Sequence, residues 1–209
     1  MRGLFLGGVL LFSMGVAAPA ATLTVNVRGA DGKPVRDAVV TLHLVDRATP
    51  APQPGSGYGV EQKDLQFHPF VLVVPVGAQV AFPNLDAVRH HVYSFSPTKR
   101  FELKLYAREQ NRTVRFDKAG IVPLGCNIHD QMTAFVDVVD TVWAGKTDAS
   151  GNVVIGGVPA GQVSVTVWHP YLRAPANSVS RAIAMIGDGA RASFAVQLRP
   201  PPRVDGAGY

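Results

Sequence analysis

Short runs in which apolar and polar residues alternate dominate the chain after its first twenty residues. Leu23, Val25 and Val27 alternate with polar neighbours, and residues 163–167 repeat the pattern near the other end of the chain. A period of two places successive side chains on opposite faces of a β-strand. Gly, Pro, Asp and Asn separate the runs, and no amphipathic helical pattern follows the N-terminal segment. The pattern therefore predicts an all-β protein of several short strands.

The same reading predicts the remaining strands and the segments between them. Further strands are expected at residues 38–45, 71–80 with a turn at Gly77, 92–95, 101–105, 113–116, 121–124, 134–139, 153–155, 179–186 and 191–198. Between the last two, Gly187-Asp188-Gly189 predicts the turn of a β-hairpin. The Pro-, Gly- and Ser-rich residues 48–57 predict a linker, and residues 200–209 predict a disordered tail.

The first twenty residues have the three parts of a secretory signal peptide. Arg2 precedes an apolar run at residues 4–16, and the small residues of Ala18-Pro19-Ala20 follow. The run is shorter than the ~20 residues that a spanning helix needs, so we expect cleavage after Ala20 and no membrane span in the mature protein. The predicted location is the periplasm or the exterior, where nucleic acid is excluded as a partner.

The only cysteine lies in a segment that is rich in metal-binding side chains. Cys126, His129 and Met132 follow a C-x2-H-x2-M spacing, and a single cysteine cannot form an intramolecular disulfide. Thiolate, imidazole and thioether are donors that copper prefers. Zinc would accept the first two, but a thioether favours copper. A second imidazole is available upstream from His90 or His91.

These residues carry a resemblance to a known family. Residues 66–140 resemble the cupredoxins, or blue copper proteins, on Phe82-Pro83-Asn84-Leu85-Asp86 leading to His90, then Gly125-Cys126, His129 and Met132. The loop spacing is most similar to that of the amicyanin group, which carries electrons in bacterial methylamine oxidation. The resemblance implies a Greek-key β-sandwich and one type 1 copper, bound by a histidine at a strand end and by Cys, His and Met from one loop.

The family pattern also distinguishes the two upstream histidines. It reads His-Asn-Val, with the histidine as ligand and the valine turned inward, so His90 is the expected ligand and His91 stands at the Asn position. The expected copper ligands are therefore His90, Cys126, His129 and Met132. An apolar wall around them is expected from Phe82, Pro83, Leu85 and Ile128. The other histidines, at positions 43, 68 and 169, have no partners at ligand spacing and are assigned structural roles.

The segments on either side of this block resemble two halves of one other domain. Residues 21–47 resemble the first half of a carboxypeptidase regulatory-like β-sandwich, and the Thr-Asp-x-x-Gly and Val-Pro-x-Gly turns of residues 141–199 resemble its second half. We therefore predict a discontinuous small β-sandwich that carries the cupredoxin block, residues 58–140, as an insertion.

The predicted function is one-electron transfer by an exported copper protein, rather than catalysis, because four protein donors leave no open copper position. Residues 89–118 contain eight Lys and Arg against three Asp and Glu, so the redox partner is expected to be a protein with an acidic surface. Two alternatives stay open from the sequence. The protein handles or stores copper without a role in a redox chain, or it is a structural interaction module with a vestigial site.

Overall fold

The computed structural model describes residues 21–108 and 110–201, so the predicted signal peptide and residues 202–209 of the predicted tail lie outside the described residues. Within those ranges the chain is all-β, as predicted, with a single turn of 3-10 helix at Pro175–Asn177. No described helix has the length and apolar character that crossing a membrane requires.

Two sheets of the structure are formed by strands from both ends of the chain. A three-stranded sheet has the order β14-β1-β17, and a four-stranded sheet has the order β13-β2-β15-β16. Their strands are β1 (Ala21–Gly29), β2 (Val39–Leu44), β13 (Ala144–Lys146), β14 (Asn152–Val158), β15 (Gly161–Trp168), β16 (Ser178–Met185) and β17 (Gly189–Val196). The alternating apolar residues of β1, Leu23, Val25 and Val27, are fully buried in the core between the two sheets.

The segment between these strands forms the other sheets. A five-stranded sheet has the order β6-β12-β11-β8-β9, a three-stranded sheet has the order β10-β7-β3, and β4 pairs with β5. The strands are β3 (Tyr58–Gly59), β4 (Glu61–Lys63), β5 (Gln66–His68), β6 (Val71–Pro75), β7 (Ala78–Phe82), β8 (His90–Phe95), β9 (Arg100–Tyr106), β10 (Arg112–Phe116), β11 (Gly120–Gly125) and β12 (Thr133–Val139). Residues from both larger sheets share a second apolar core, which includes Phe82, Val92 and Phe116.

The predicted hairpin at Gly187 is wrong. Strands β16 and β17 flank this glycine, but β16 pairs with β15, whereas β17 pairs in parallel with β1 in the other sheet. The turn therefore passes the chain from one sheet to the other. Gly187 has a φ of 64°, which fits a tight turn in either arrangement, so the turn residues alone did not distinguish them.

A small aromatic cluster joins the two parts of the structure. The Phe135 ring of β12 lies 5.8 Å from the Trp168 ring of β15, and the Phe70 ring lies 5.5 Å from Phe135 and 6.0 Å from Tyr171. The Lys146 ammonium also donates to the Val71 carbonyl at 2.8 Å. These contacts cover one part of the outer face of the five-stranded sheet and leave its β8–β9 side uncovered.

Candidate metal centre

Two neighbouring strands bring the predicted donors to one end of the central sandwich. His90 is the first residue of β8, and Cys126 directly follows the last residue of β11. Strands β11 and β12 pair in antiparallel register, so the loop that joins them returns beside its own start. That loop contains His129 and Met132, and the Met132 amide donates to the His129 carbonyl at 2.9 Å, which closes a tight turn.

His90, Cys126 and His129 lie close enough together for one ion. One donor atom from each of the three side chains lies within 4.8 Å of the others. The Cys126 Sγ and the His129 Nδ1 are 3.9 Å apart, and the rings of His90 and His129 meet edge to face with their centroids 5.1 Å apart. Among residues 21–108 and 110–201, this is the one group of three or more His, Cys, Asp or Glu side chains with metal-site spacing.

The two nitrogens of His90 have different environments. The Nε2 atom is 2.8 Å from the Asp86 Oδ2, whereas the Nδ1 atom is buried and has no hydrogen-bond partner. A carboxylate acceptor favours the tautomer in which Nε2 carries the proton, so the lone pair is on Nδ1. A buried nitrogen without a partner is costly, and a metal ion would satisfy it. The donor set therefore fits a metal on its own chemistry.

Asp86 is held in place by the loop in front of β8. The Asn84 side-chain oxygen accepts from the Asp86 amide, and the Asp86 carboxylate accepts from the amides of Asp64 and Leu65. Burial disfavours the charged form, but the hydrogen bonds from His90 and from these two amides outweigh it, so the pKa of Asp86 lies below its ordinary value. Asp86 is therefore an anionic acceptor at neutral pH and fixes the orientation of the His90 ring.

Met132 and the apolar residues that were expected around the site differ in their exposure. Met132 is buried in the same core as Cys126. Phe82, which was expected in the apolar wall, is fully buried, whereas Leu85 and Ile128 are partly exposed at 37% and 49%. An apolar shell of this kind restricts water at a metal and holds its ligands rigidly. The exposed members form a surface beside the half-buried His129 rather than a closed wall.

The other histidines lie away from this group. His91 points to the opposite side of β8, where its Nε2 is 2.9 Å from the Glu102 carboxylate. His43 contacts Asp140 at 2.9 Å, and the Nδ1 of the buried His169 accepts from the Tyr171 amide. The alternation of neighbouring side chains in a strand explains why only one of the adjacent histidines faces Cys126.

The sequence pattern did not predict the role of Asp86, although this residue belongs to the Phe82–Asp86 segment that resembles the family. The signal available was a carboxylate four residues before His90, in a segment with turn residues. The spacing of two residues across a loop does not tell where their side chains point. The four-residue separation therefore could not predict that the Asp86 carboxylate contacts the His90 ring nitrogen.

The chemistry of the set favours copper. Thiolate, two imidazoles and a thioether combine soft and borderline donors, which suits a metal that cycles between Cu(I) and Cu(II). Zinc would bind the thiolate and the imidazoles, but it gains little from a thioether.

No protein-family model and no curated protein matches this sequence. Solved structures do show similarity. A reduced amicyanin variant is 26% identical over 39% of this chain and 81% of its own, with a TM-score of 0.36. The purple cupredoxin from Nitrosopumilus maritimus is 20% identical over 40% of this chain and 100% of its own, also with a TM-score of 0.36. A Cu-containing nitrite reductase from Thermus scotoductus is 22% identical over 56% of this chain and 28% of its own, with a TM-score of 0.39. All three scores are below 0.5, so the case for a copper site rests on the residues themselves.

Proposed function

We propose that this chain is an exported type 1 copper protein that carries single electrons between redox partners. The observation that carries the proposal is the buried Nδ1 of His90, which has no partner and belongs to the same group as the Cys126 and His129 donor atoms. His90, Cys126 and His129 would bind the ion, and Met132 would supply a weak thioether donor. Bound copper would supply a reversible one-electron couple.

The protein residues have separate tasks in this proposal. Asp86 accepts from the His90 Nε2 and so keeps the Nδ1 lone pair available. The buried Phe82 and Met132 belong to the same apolar core as Cys126, and this core would keep water from the inner side of the site. Four protein donors would leave no position free for a substrate, which favours electron transfer over catalysis.

The end of the sandwich that holds His129 suits a docking surface. Leu85 and Val88, on the loop in front of β8, and Ile128, on the loop between β11 and β12, are exposed apolar residues. Arg89, also exposed, lies next to His90 in sequence and adds positive charge. We propose that a redox protein with an acidic rim docks on this surface and exchanges electrons through His129.

The test is the visible absorption and EPR spectrum of the purified mature protein after addition of Cu(II). An intense band near the red end of the visible spectrum and a narrow copper hyperfine splitting are expected, because both follow from a copper–thiolate bond. Cys126→Ser should remove both signals. His43→Ala is the matched control, because it removes a histidine on the flanking sandwich and should leave both signals intact.

Two results would contradict the proposal. A colourless protein, or one with only ordinary tetragonal copper signals, would mean that Cys126 does not bind copper as a thiolate, and the structural module would be favoured. A blue protein that loses Cu(I) rapidly to a chelator would favour copper handling, since an electron carrier has to retain its metal in both oxidation states.

A further inference from the structure

Three rings form a continuous row on the outer face of β8. The rings of His91 and Tyr93 are 5.7 Å apart, and those of Tyr93 and Phe95 are 5.0 Å apart. The row begins beside His90 and ends at Phe95, which is 67% exposed. Together with its neighbouring rings, Phe95 forms a contiguous apolar patch, which is the kind of surface that protein interfaces cover.

The Tyr93 ring packs against the main chain of Gly125, the residue before Cys126. Tyr93 pairs with Gly125 across β8 and β11, and a Cβ added to Gly125 would lie 2.8 Å from the Tyr93 Cζ. Only glycine allows the ring to lie this close to the strand. Gly125 is bonded to Cys126, so the phenol ring is one residue of main chain away from the thiol. Among the described residues, Gly125 is the one glycine bonded to a predicted metal donor, and Tyr93 is the aromatic side chain that packs on it.

The charges around the aromatic row are mostly positive. The Arg100 guanidinium lies 5.6 Å from the centre of the Phe95 ring, and Lys104 is exposed on the same face of β9. The one acid of this strand, Glu102, contacts His91. Within the described ranges, neither Arg100 nor Lys104 has an ion-pair partner. The face therefore presents an aromatic centre with free cations at its edge, which is complementary to an acidic protein surface.

Part of this sheet face is already occupied. Phe135 on β12, two strands away from β8, packs against Trp168 of the flanking sandwich, and Ile121 of the intervening strand β11 belongs to the same interface cluster. The aromatic row is the part of the outer face that the flanking sandwich leaves open. A partner docked there would have the flanking sandwich beside it, which would limit its orientation.

We propose that the row of Tyr93 and Phe95, with Arg100 and Lys104, is a second docking surface for an acidic one-electron redox protein, and that Tyr93 and Gly125 connect it to Cys126. This rests on the proposed electron-carrier function. One electron passes between the two proteins, so the partner's redox centre gains the electron that the site on this chain loses. No bond forms or breaks, and no proton is transferred.

The docking part is tested on the metal-free protein with hexacyanochromate(III), a redox-inert paramagnetic anion. At low ionic strength, the amide NMR signals of residues 93–95 and 100–104 should broaden. Charge reversal in Arg100→Glu/Lys104→Glu should remove this broadening, and salt should weaken it. Ile128→Glu is the control, because it places a new negative charge at the other proposed surface and should leave the broadening of residues 93–95 unchanged.

The connection to Cys126 is tested on the copper(I)-loaded protein with hexacyanoferrate(III) as an anionic oxidant. The second-order rate constant should fall about tenfold or more in Arg100→Glu/Lys104→Glu at low salt. Tyr93→Leu should lower it several-fold and retain the hexacyanochromate broadening, because the cations remain. Tyr93→Phe keeps the ring and should react at close to the original rate.

The outcomes separate this inference from the proposed function. A protein that never binds copper as a thiolate refutes the electron-carrier function, but the broadening of the metal-free protein still reports on the anion-binding face. A blue protein in which hexacyanochromate broadens only the residues around Ile128 refutes the second surface alone. A blue protein with normal docking whose Tyr93→Leu variant reacts at the original rate refutes the connection through Tyr93.

Discussion

Asp137 gives the sharpest test of the electrostatics of this fold. This aspartate lies in the middle of β12 and is 7% exposed. Burial disfavours its charged form, and the nearby Asp140 carboxylate adds to the effect, so the pKa of Asp137 is raised to about 7. The same side chain in the unfolded chain has a pKa near 3.8. Replacing it with Asn keeps the shape of the side chain and removes the titration.

The sign of the effect follows from the protons bound in each state. Between pH 3.8 and 7 the folded state holds a proton on Asp137 that the unfolded state has lost, so the free energy of unfolding falls as pH rises. Each pKa unit corresponds to about 1.4 kcal/mol, so a shift of about three units amounts to about 4 kcal/mol as an upper value. Relaxation around the charged carboxylate reduces this, and about 2–4 kcal/mol is expected.

His169 has the opposite effect over much of the same range. Burial disfavours its charged form and lowers its pKa to about 4, against an ordinary value of 6.5, although the Asp37 carboxylate opposes the shift. The unfolded state therefore binds the extra proton between pH 4 and 6.5, and stability rises with pH there. The two slopes oppose each other in the natural protein, so its stability should change little with pH in that interval.

The assay is urea unfolding of the metal-free protein from pH 4 to 8 for the natural sequence and for Asp137→Asn. The free energy of unfolding of the variant should rise with pH, because only the His169 effect remains. The variant should be as stable as the natural protein near pH 4 and more stable by about 2–4 kcal/mol at pH 8. Asp46→Asn, at an exposed position, is the control and should not change the curve. A difference between Asp137→Asn and the natural protein that is the same at every pH would refute the reasoning.

Two further predictions concern the metal centre and the domain organisation. Replacing Asp86 with Ala should weaken copper binding by about 10–100-fold, because the His90 ring loses its hydrogen-bond acceptor. Competition with a Cu(I) chelator measures the affinity, and Asp46→Ala is the control. Equal affinities of the two variants would contradict the prediction. Residues 58–140 expressed alone should fold and become blue with Cu(II), because their core is separate from that of the flanking strands. Failure of that fragment to fold would indicate one merged β-sandwich, and Phe135→Ser in the fragment controls for aggregation through the exposed interface.

Several features of the candidate site could be predicted from the sequence because they depend on short separations. Cys126, His129 and Met132 lie within seven consecutive positions, so a tight loop brings them near each other. The choice between His90 and His91 used the alternation of neighbouring side chains in a strand together with the His-Asn-Val pattern of the family that this block resembles. The hydrogen bond between Asp86 and His90 was beyond this reasoning, because it depends on the path of a loop that Asn84 and the distant Leu65 fix through hydrogen bonds.

The sequence by itself determined that the chain forms strands and which side chains of each strand point inward, because a period of two is a local property. It also determined the chemistry of the donors. Only the tertiary structure decided which strands pair. Strand β1 pairs in parallel with β17 from the far end of the chain, and the turn at Gly187 connects two different sheets. Every strand edge offers the same backbone donors and acceptors, so pairing is selected by how the apolar faces pack. The contact of Tyr93 with Gly125 is a consequence of that selection.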